Sequence, residues 1–193
     1  MPLAALHAAD VRQPVEHEIG QGRTAGLAER QWVIGGVARS ALVHIPPAAT
    51  NVATPVVFAF HGRGGDVRSF AERFAIHKLW PEAIVVYPHG LPSAIRFEAA
   101  GVKPGWQQGI GDKDDRDLKF FDEMLGTLRK KCKVDGRRIY VAGHSMGGAF
   151  TYLLWAARGD VFAAVASAAG TPRNFDACKL LRASPTRSAR QSR

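Results

Sequence analysis

Four short apolar runs, separated by segments with helical patterns, constrain the fold of this chain more than any other feature. The runs cover residues 55–60, 83–87, 138–142 and 161–169. A continuous apolar run of this length is typical of a strand that is covered on both faces, as in a parallel sheet. The segments between them predict helices over residues 69–79, from Asp114 or Asp115 to about 131, and over 149–157. Strands that alternate with helices predict a three-layer, doubly wound α/β fold.

The sequence outside these strands and helices is predicted to form a hairpin before them and a tail at each end of the chain. Residues 31–34 and 39–45 are β-prone and flank Gly35-Gly36, which predicts a hairpin. A length of 193 residues is suitable for one domain. We therefore expect an α/β domain over residues 31–172, an N-terminal tail over 1–30 and a basic irregular tail over 173–193. The first ten residues resemble the last part of a signal peptide.

The net charge of +9 is concentrated at the C-terminal end. Residues 173–193 hold six Lys or Arg and one Asp, which gives five of the nine positive charges. Basic tails can bind nucleic acid or anionic surfaces. However, only Phe175 supplies an aromatic side chain there, so a solvated tail is the preferred interpretation and no nucleic-acid partner is expected. No stretch approaches the about 20 apolar residues of a membrane helix, so no membrane partner is expected either.

A tight turn follows the third apolar run. Its Gly143-x-Ser145-x-Gly147 sequence has the spacing of a nucleophile elbow, in which a serine sits in a sharp strand-to-helix turn. Glycine two residues before and two after the serine lets the neighbouring strand and helix pass close by. The following helix directs its N-terminus at the serine and so favours negative charge there. Ser145 is the candidate nucleophile.

A glycine-rich segment, His61-Gly62-Arg63-Gly64-Gly65, follows the first apolar run. Such a loop can offer a backbone N–H to the oxyanion of a tetrahedral intermediate. In a fold with this elbow, the other donor is the residue after the serine, Met146. We expect Arg63 N–H to be the loop donor, with Gly64 as the second choice. The segment lacks the GxxxxGK[ST] pattern of a phosphate loop.

Five segments in serial order resemble the polyhydroxybutyrate depolymerase and feruloyl esterase group of α/β-hydrolases. They are residues 58–62, 105–107, 115–122, 134–141 and 143–148, and the resemblance extends over residues 32–172. It implies a secreted or periplasmic carboxylic ester hydrolase acting on polyesters or on aromatic esters of plant polymers. It also implies that Ser145 is the nucleophile and that the enzyme needs no cofactor or metal. By the same resemblance Trp106 lines the acyl pocket; a role as a core or loop-anchoring residue stays open.

The chain departs from this group after Ser145. The triad of the fold runs serine, acid, histidine, yet all seven histidines precede Ser145. The acids after it are Asp160 and Asp176, and neither follows a new strand. We therefore expect the last strands of the fold, with the triad acid and histidine, to be missing through truncation or a frameshift, and activity to be low. If the chain is active, His61 is the first candidate for the base.

Three further alternatives stay open. The fold and elbow also suit a serine peptidase, and the basic tail also suits a non-catalytic binding protein. Cys132 and Cys178 form either one disulfide or two free thiols, and no CxxC pair indicates zinc.

Overall fold

The computed structural model describes residues 16–18, 26–94 and 100–172. Its centre is a seven-stranded sheet with the order β1-β2-β3-β5-β4-β8-β9. The strands are β1 (Glu16–Glu18), β2 (Ala28–Ile34), β3 (Val37–His44), β4 (Thr54–Phe60), β5 (Ile84–Pro88), β8 (Val134–His144) and β9 (Ala164–Ala168). A separate two-stranded ladder joins β6 (Leu91–Pro92) to β7 (Pro104–Gly105).

The sheet is parallel from β5 through β4 and β8 to β9, as the apolar runs predict. All seven residues of β4 and all five of β5 are buried, because helices cover both faces of these strands. The remaining pairings, β1 with β2, β2 with β3 and β3 with β5, are antiparallel. The predicted hairpin around Gly35-Gly36 is confirmed, and both glycines have positive φ.

Two strand segments lie within the range predicted as an N-terminal tail. β2 begins at Ala28, and β1 pairs with it over Glu16–Glu18. Only the far end of β2 alternates between buried and exposed residues, with Trp32 and Ile34 inside and Val33 outside. Its first residues, Ala28, Glu29 and Arg30, are half-buried and mostly polar, so no apolar pattern marked them.

Within the described ranges, four helices flank the sheet: α1 (Val67–Phe74), α2 (Ile76–Leu79), α3 (Arg116–Lys131) and α4 (Met146–Arg158). The single helix predicted over 69–79 is wrong, because Ala75 adopts a left-handed conformation with φ of 46° and separates α1 from α2. The helix predicted to begin at Asp114 or Asp115 begins at Arg116. A 3₁₀ turn over Asp112–Asp115 precedes it, and three of its residues have positive φ.

Two hydrophobic clusters lie on opposite faces of the sheet. The larger one joins α3 and α4 to the sheet through residues such as Phe121, Leu125 and Phe150. The smaller one packs α1 on the other face through Phe70 and Ala71. The three-layer α/β architecture is therefore confirmed.

The strand β9 forms one edge of the sheet and pairs with β8. It is the last strand in the described part of the chain, and its alanines are exposed. Residues 173–193 lie outside the described residues, so the basic tail and the proposed partner Cys178 are not located. Cys132 is buried, and burial raises the pKa of its thiol. Within ranges 26–94 and 100–172, no helix is long and apolar enough to cross a membrane.

Candidate active site

Ser145 lies between the end of β8 and the start of α4, as the elbow pattern predicts. Its φ of 53° and ψ of −115° are unfavourable for a residue with a side chain. Backbone hydrogen bonds hold this conformation: Ser145 N donates to Ala168 O at 2.8 Å, and Ala149 N donates to Ser145 O at 2.9 Å. The turn is therefore fixed from both β9 and α4.

The two glycines of the elbow have no room for a side chain. A Cβ on Gly143 would collide with the carbonyl oxygen of Gly147. A Cβ on Gly147 would collide with the carbonyl oxygen of Phe60 and lie 2.6 Å from that of His61. The close approach of α4 to the end of β4 therefore requires glycine, which agrees with the steric role inferred from the sequence.

The loop after β4 faces the serine. A Cβ placed on Gly62 would lie 3.3 Å from the Cβ of Ser145, so this backbone borders the candidate nucleophile directly. Gly64 donates its N–H to Pro104 O at 2.7 Å, so the second-choice donor is already engaged. Met146, at the first position of α4, belongs to the turn whose N–H groups lack partners within the helix. Met146 and Arg63 stay the expected oxyanion donors.

His61 is fully buried, and both of its ring nitrogens have backbone partners. Gly90 N donates to Nε2 at 3.0 Å, and Nδ1 lies 2.7 Å from Gly62 O. Since Nε2 accepts and a carbonyl oxygen can only accept, the neutral ring carries its proton on Nδ1. Burial lowers the pKa of His61. His61 therefore orders the loop, and the hypothesis that it serves as the base is not supported.

Trp106 is buried and lies in the larger core cluster. Its indole ring stacks on Phe150 with ring centroids 5.5 Å apart, and it meets Phe60 edge-on at 4.9 Å. Its Nε1 donates to His61 O at 2.8 Å. The side chain of Trp106 therefore anchors the loop, which is the alternative that stayed open in the sequence, and Trp106 is not among the residues that line the cavity at Ser145.

A buried polar network behind this loop was not recognised in the sequence. Arg39 Nη2 donates to Asp117 Oδ1 at 2.8 Å, and both side chains are almost fully buried. Asp117 Oδ2 accepts from Gln107 N at 2.7 Å, and Gln107 Oε1 accepts from Asp117 N at 2.9 Å. The network ties the Trp106 segment to the start of α3. Gln107 and Asp117 lie in two of the five segments that carry the family resemblance, but nothing in the sequence indicated that they contact each other or Arg39.

Ser145 opens onto a cavity of about 370 Å³. Its walls come from the loop after β4, from α1 and from the elbow: His61, Gly62, Arg63, Gly65, Asp66, Ser69, Phe70, Arg73, Phe74, His144 and Ser145. Within the described part of the chain, the hydroxyl of Ser145 makes no hydrogen bond. The same part holds no group of three His, Cys, Asp or Glu residues placed to bind a metal ion.

The sheet order and the strand–serine–helix turn define an α/β-hydrolase fold. The chain belongs to the Esterase family, whose description reads "Putative esterase", through a match over residues 36–181. This confirms the resemblance to the feruloyl esterase-like group of α/β-hydrolases.

Relatives and solved structures agree with this assignment. The chain is 25% identical over 157 residues to a probable feruloyl esterase C of Aspergillus clavatus, covering 79% of this chain and 55% of that protein. It is 29% identical over 102 residues to a bifunctional acetylxylan esterase/xylanase of Neocallimastix patriciarum, covering 53% of this chain and 13% of that protein. A solved ferulic acid esterase has a TM-score of 0.59 at 22% identity, covering 77% of this chain and 61% of that one. The chain therefore spans about half, or less, of the length of these curated relatives.

Proposed function

We propose that the protein is a serine carboxylic ester hydrolase in which Ser145 is the nucleophile. The conformation of Ser145 carries this proposal. A non-glycine residue at φ of 53°, held between Ala168 and Ala149, is a strained arrangement that presents a hydroxyl at the cavity. The same hydroxyl has no structural hydrogen bond among the described residues, so the fold does not need it for stability.

In the proposed reaction Ser145 Oγ attacks the ester carbonyl carbon, and the carbonyl oxygen becomes an oxyanion. The N-terminus of α4, through Met146 N–H, and the Arg63 backbone stabilise that charge. The attack requires a base to take the hydroxyl proton. No imidazole in the described ranges is hydrogen-bonded to Ser145 Oγ, and both ring nitrogens of His61 are engaged. We therefore expect hydrolysis by the 193-residue chain to be slow.

The substrates that we propose are aryl esters of the feruloyl type or polyhydroxyalkanoate esters. The relative from Aspergillus clavatus, named as a probable feruloyl esterase, supports the first class. The polyester class rests on the motif resemblance. A secreted or periplasmic location is proposed on the same resemblance.

Covalent labelling with a fluorophosphonate tests the nucleophile. We expect Ser145 to be the only serine that the probe modifies, and we expect this reaction to be slow, because phosphonylation also needs a base to take the hydroxyl proton. Ser145→Ala should abolish the label. Ser69→Ala is the matched control, since Ser69 lines the same cavity but lies on α1, and it should leave labelling intact. Equal labelling of Ser145→Ala and the unmodified protein would contradict the proposal.

A non-catalytic ligand-binding protein is the second candidate. The observation that favours it is the absence, in the described ranges, of an imidazole bonded to Ser145 Oγ. It predicts no label at Ser145 and no ester hydrolysis that depends on Ser145, together with retained binding of esters in the cavity.

A further inference from the structure

Among the described residues, three with charged side chains line the cavity at Ser145. Two of them make hydrogen bonds that hold the local backbone in place. Asp66 caps the N-terminus of α1, because its Oδ1 accepts from Ser69 N at 2.9 Å. Arg63 donates from Nη1 to the carbonyl oxygen of Ser93 and so holds its loop against the segment after β6.

Arg73 is the third charged group, and it is different. It lies in the last turn of α1, is exposed, and makes no hydrogen bond or ion pair with any residue of the described ranges. Its planar guanidinium, with five N–H donors, is therefore exposed at the cavity, where it can bind a ligand. Arginine binds carboxylates through two parallel N–H···O bonds.

The neighbours of Arg73 supply an apolar wall. Phe70 and Phe74 line the cavity with ring centroids 4.4 Å apart, and Phe74 lies 6.1 Å from the ring of His144 beside the serine. Asp66 and Arg73 are seven positions apart along α1, which is a rise of about 10 Å. The three charged groups that line the cavity, two arginines and one aspartate, carry a net charge of +1, which favours an anion there.

We propose that Arg73 binds a carboxylate on the substrate, so that the preferred substrates are esters with an apolar arm and a free carboxylate. The apolar arm lies on Phe70 and Phe74, and the carboxylate pairs with the guanidinium of Arg73. This inference rests on the proposed function, since it names the substrate class of the same site.

Equilibrium binding of two amide isosteres tests the inference without requiring turnover. N-phenylsuccinamic acid carries a carboxylate, and N-phenylbutanamide is its neutral counterpart of matched length. Dissociation constants are measured by ligand-observed NMR at low ionic strength for the unmodified chain, Arg73→Gln and Lys78→Gln. Lys78 is an exposed cation on α2 that does not line the cavity, so its variant controls for the loss of one positive charge.

We expect the unmodified chain to bind the acid about three- to fivefold more tightly than the neutral amide, which is the range for an exposed charge pair. Arg73→Gln should abolish this preference, and Lys78→Gln should retain it. The preference should also shrink as salt is added. Equal binding of both amides to the unmodified chain, binding of neither, or an unchanged preference in Arg73→Gln would each overturn the inference. Fluorophosphonate labelling of Ser145 does not use Arg73. The labelling experiment therefore tests the proposed nucleophile independently of the binding experiment, which tests the carboxylate site.

Discussion

The indole N–H of Trp106 donates to the carbonyl oxygen of His61 at 2.8 Å, across 45 residues of sequence. That carbonyl belongs to the loop that also borders Ser145 and Gly147. Trp106 thus connects the hydrophobic core to the backbone of the candidate oxyanion loop without contacting the cavity.

Trp106→Phe should preserve most ring packing and remove this hydrogen bond. The buried carbonyl of His61 loses its partner, so we expect a loss of about 1–3 kcal/mol in the free energy of unfolding, measured by urea denaturation. Labelling of Ser145 by the fluorophosphonate should also become slower. Trp155→Phe is the control, because Trp155 is 37% exposed and no hydrogen bond to the described residues fixes its indole. Equal effects of the two substitutions would contradict the role assigned to Trp106.

Gly147→Ala and Gly126→Ala should change stability in opposite directions. A Cβ on Gly147 meets the backbone of Phe60 and His61, so overpacking should cost about 1–3 kcal/mol or more. Gly126 lies inside α3, and a Cβ added there would meet no described atom within 4 Å, so alanine should stabilise the helix by about 0.5–1 kcal/mol. Thermal unfolding of both variants checks the pair, and a stabilising Gly147→Ala would contradict the elbow packing.

Asp117→Asn should be strongly destabilising because it leaves the buried guanidinium of Arg39 without its counter-charge. Removing one partner of a buried pair costs about 3–5 kcal/mol. Asp122→Asn is the matched control: its carboxylate pairs with Arg158 at 2.7 Å on the surface, where a pair contributes about 1 kcal/mol or less. Urea denaturation of both variants should show the difference, and a similar small loss in each would mean that Asp117 is not needed as a charge.

Stability should fall as the pH decreases below the ordinary histidine pKa of 6.5. Burial lowers the pKa of His61 and of His77, so the unfolded chain takes up protons that the folded chain does not. The carboxyl groups with lowered pKa, such as Asp66, stabilise the fold above their ordinary value of 3.8 and lose that contribution only as the pH falls past it. Between about pH 7.5 and 5 the loss therefore belongs to the buried imidazoles.

Urea denaturation across this pH range measures the effect. His61→Gln should reduce the slope of stability against pH, because the substitution removes one of the two imidazoles whose pKa burial lowers. An unchanged slope in His61→Gln would contradict a buried neutral His61.

The 193-residue chain should hydrolyse a p-nitrophenyl ester at least about a thousandfold more slowly than a relative with a complete triad. Added imidazole should accelerate the reaction, because an imidazole that enters the cavity can take the proton of the Ser145 hydroxyl, and Ser145→Ala should not respond. Turnover at an ordinary enzymatic rate without imidazole would contradict this prediction, and would point to a base that does not contact Ser145 Oγ in this structure.

The parallel strands and the elbow were predictable because each leaves a local mark in the sequence. Buried strands such as β4 and β5 read as unbroken apolar runs, and the sharp turn at Ser145 requires glycine at fixed offsets. The break at Ala75 was not predictable, since alanine gives no sign of a left-handed conformation and the apolar pattern continues past it.

Residues that contact each other across long stretches of the chain left no local pattern in the sequence. Arg39 and Asp117 lie 78 residues apart, and each alone resembles an ordinary surface charge. A tryptophan in a loop rich in glycine and proline suits either a pocket or a core, and the sequence does not show its contacts with Phe60, Phe150 and the carbonyl oxygen of His61. The hydrogen bond from Gly64 N–H to Pro104 O likewise joins residues that are far apart in the sequence.

The backbone angles that present the hydroxyl of Ser145 at the cavity also reduce the stability of the folded protein. A positive φ of this kind costs a residue with a side chain about 1–3 kcal/mol, whereas glycine adopts it readily. Ser145→Gly should therefore yield a protein that lacks the hydroxyl yet is harder to unfold than the original, while Ser145→Ala would lack the hydroxyl without that gain. Stability alone would favour glycine at this position, so the cost in stability is attached to the hydroxyl that faces the cavity.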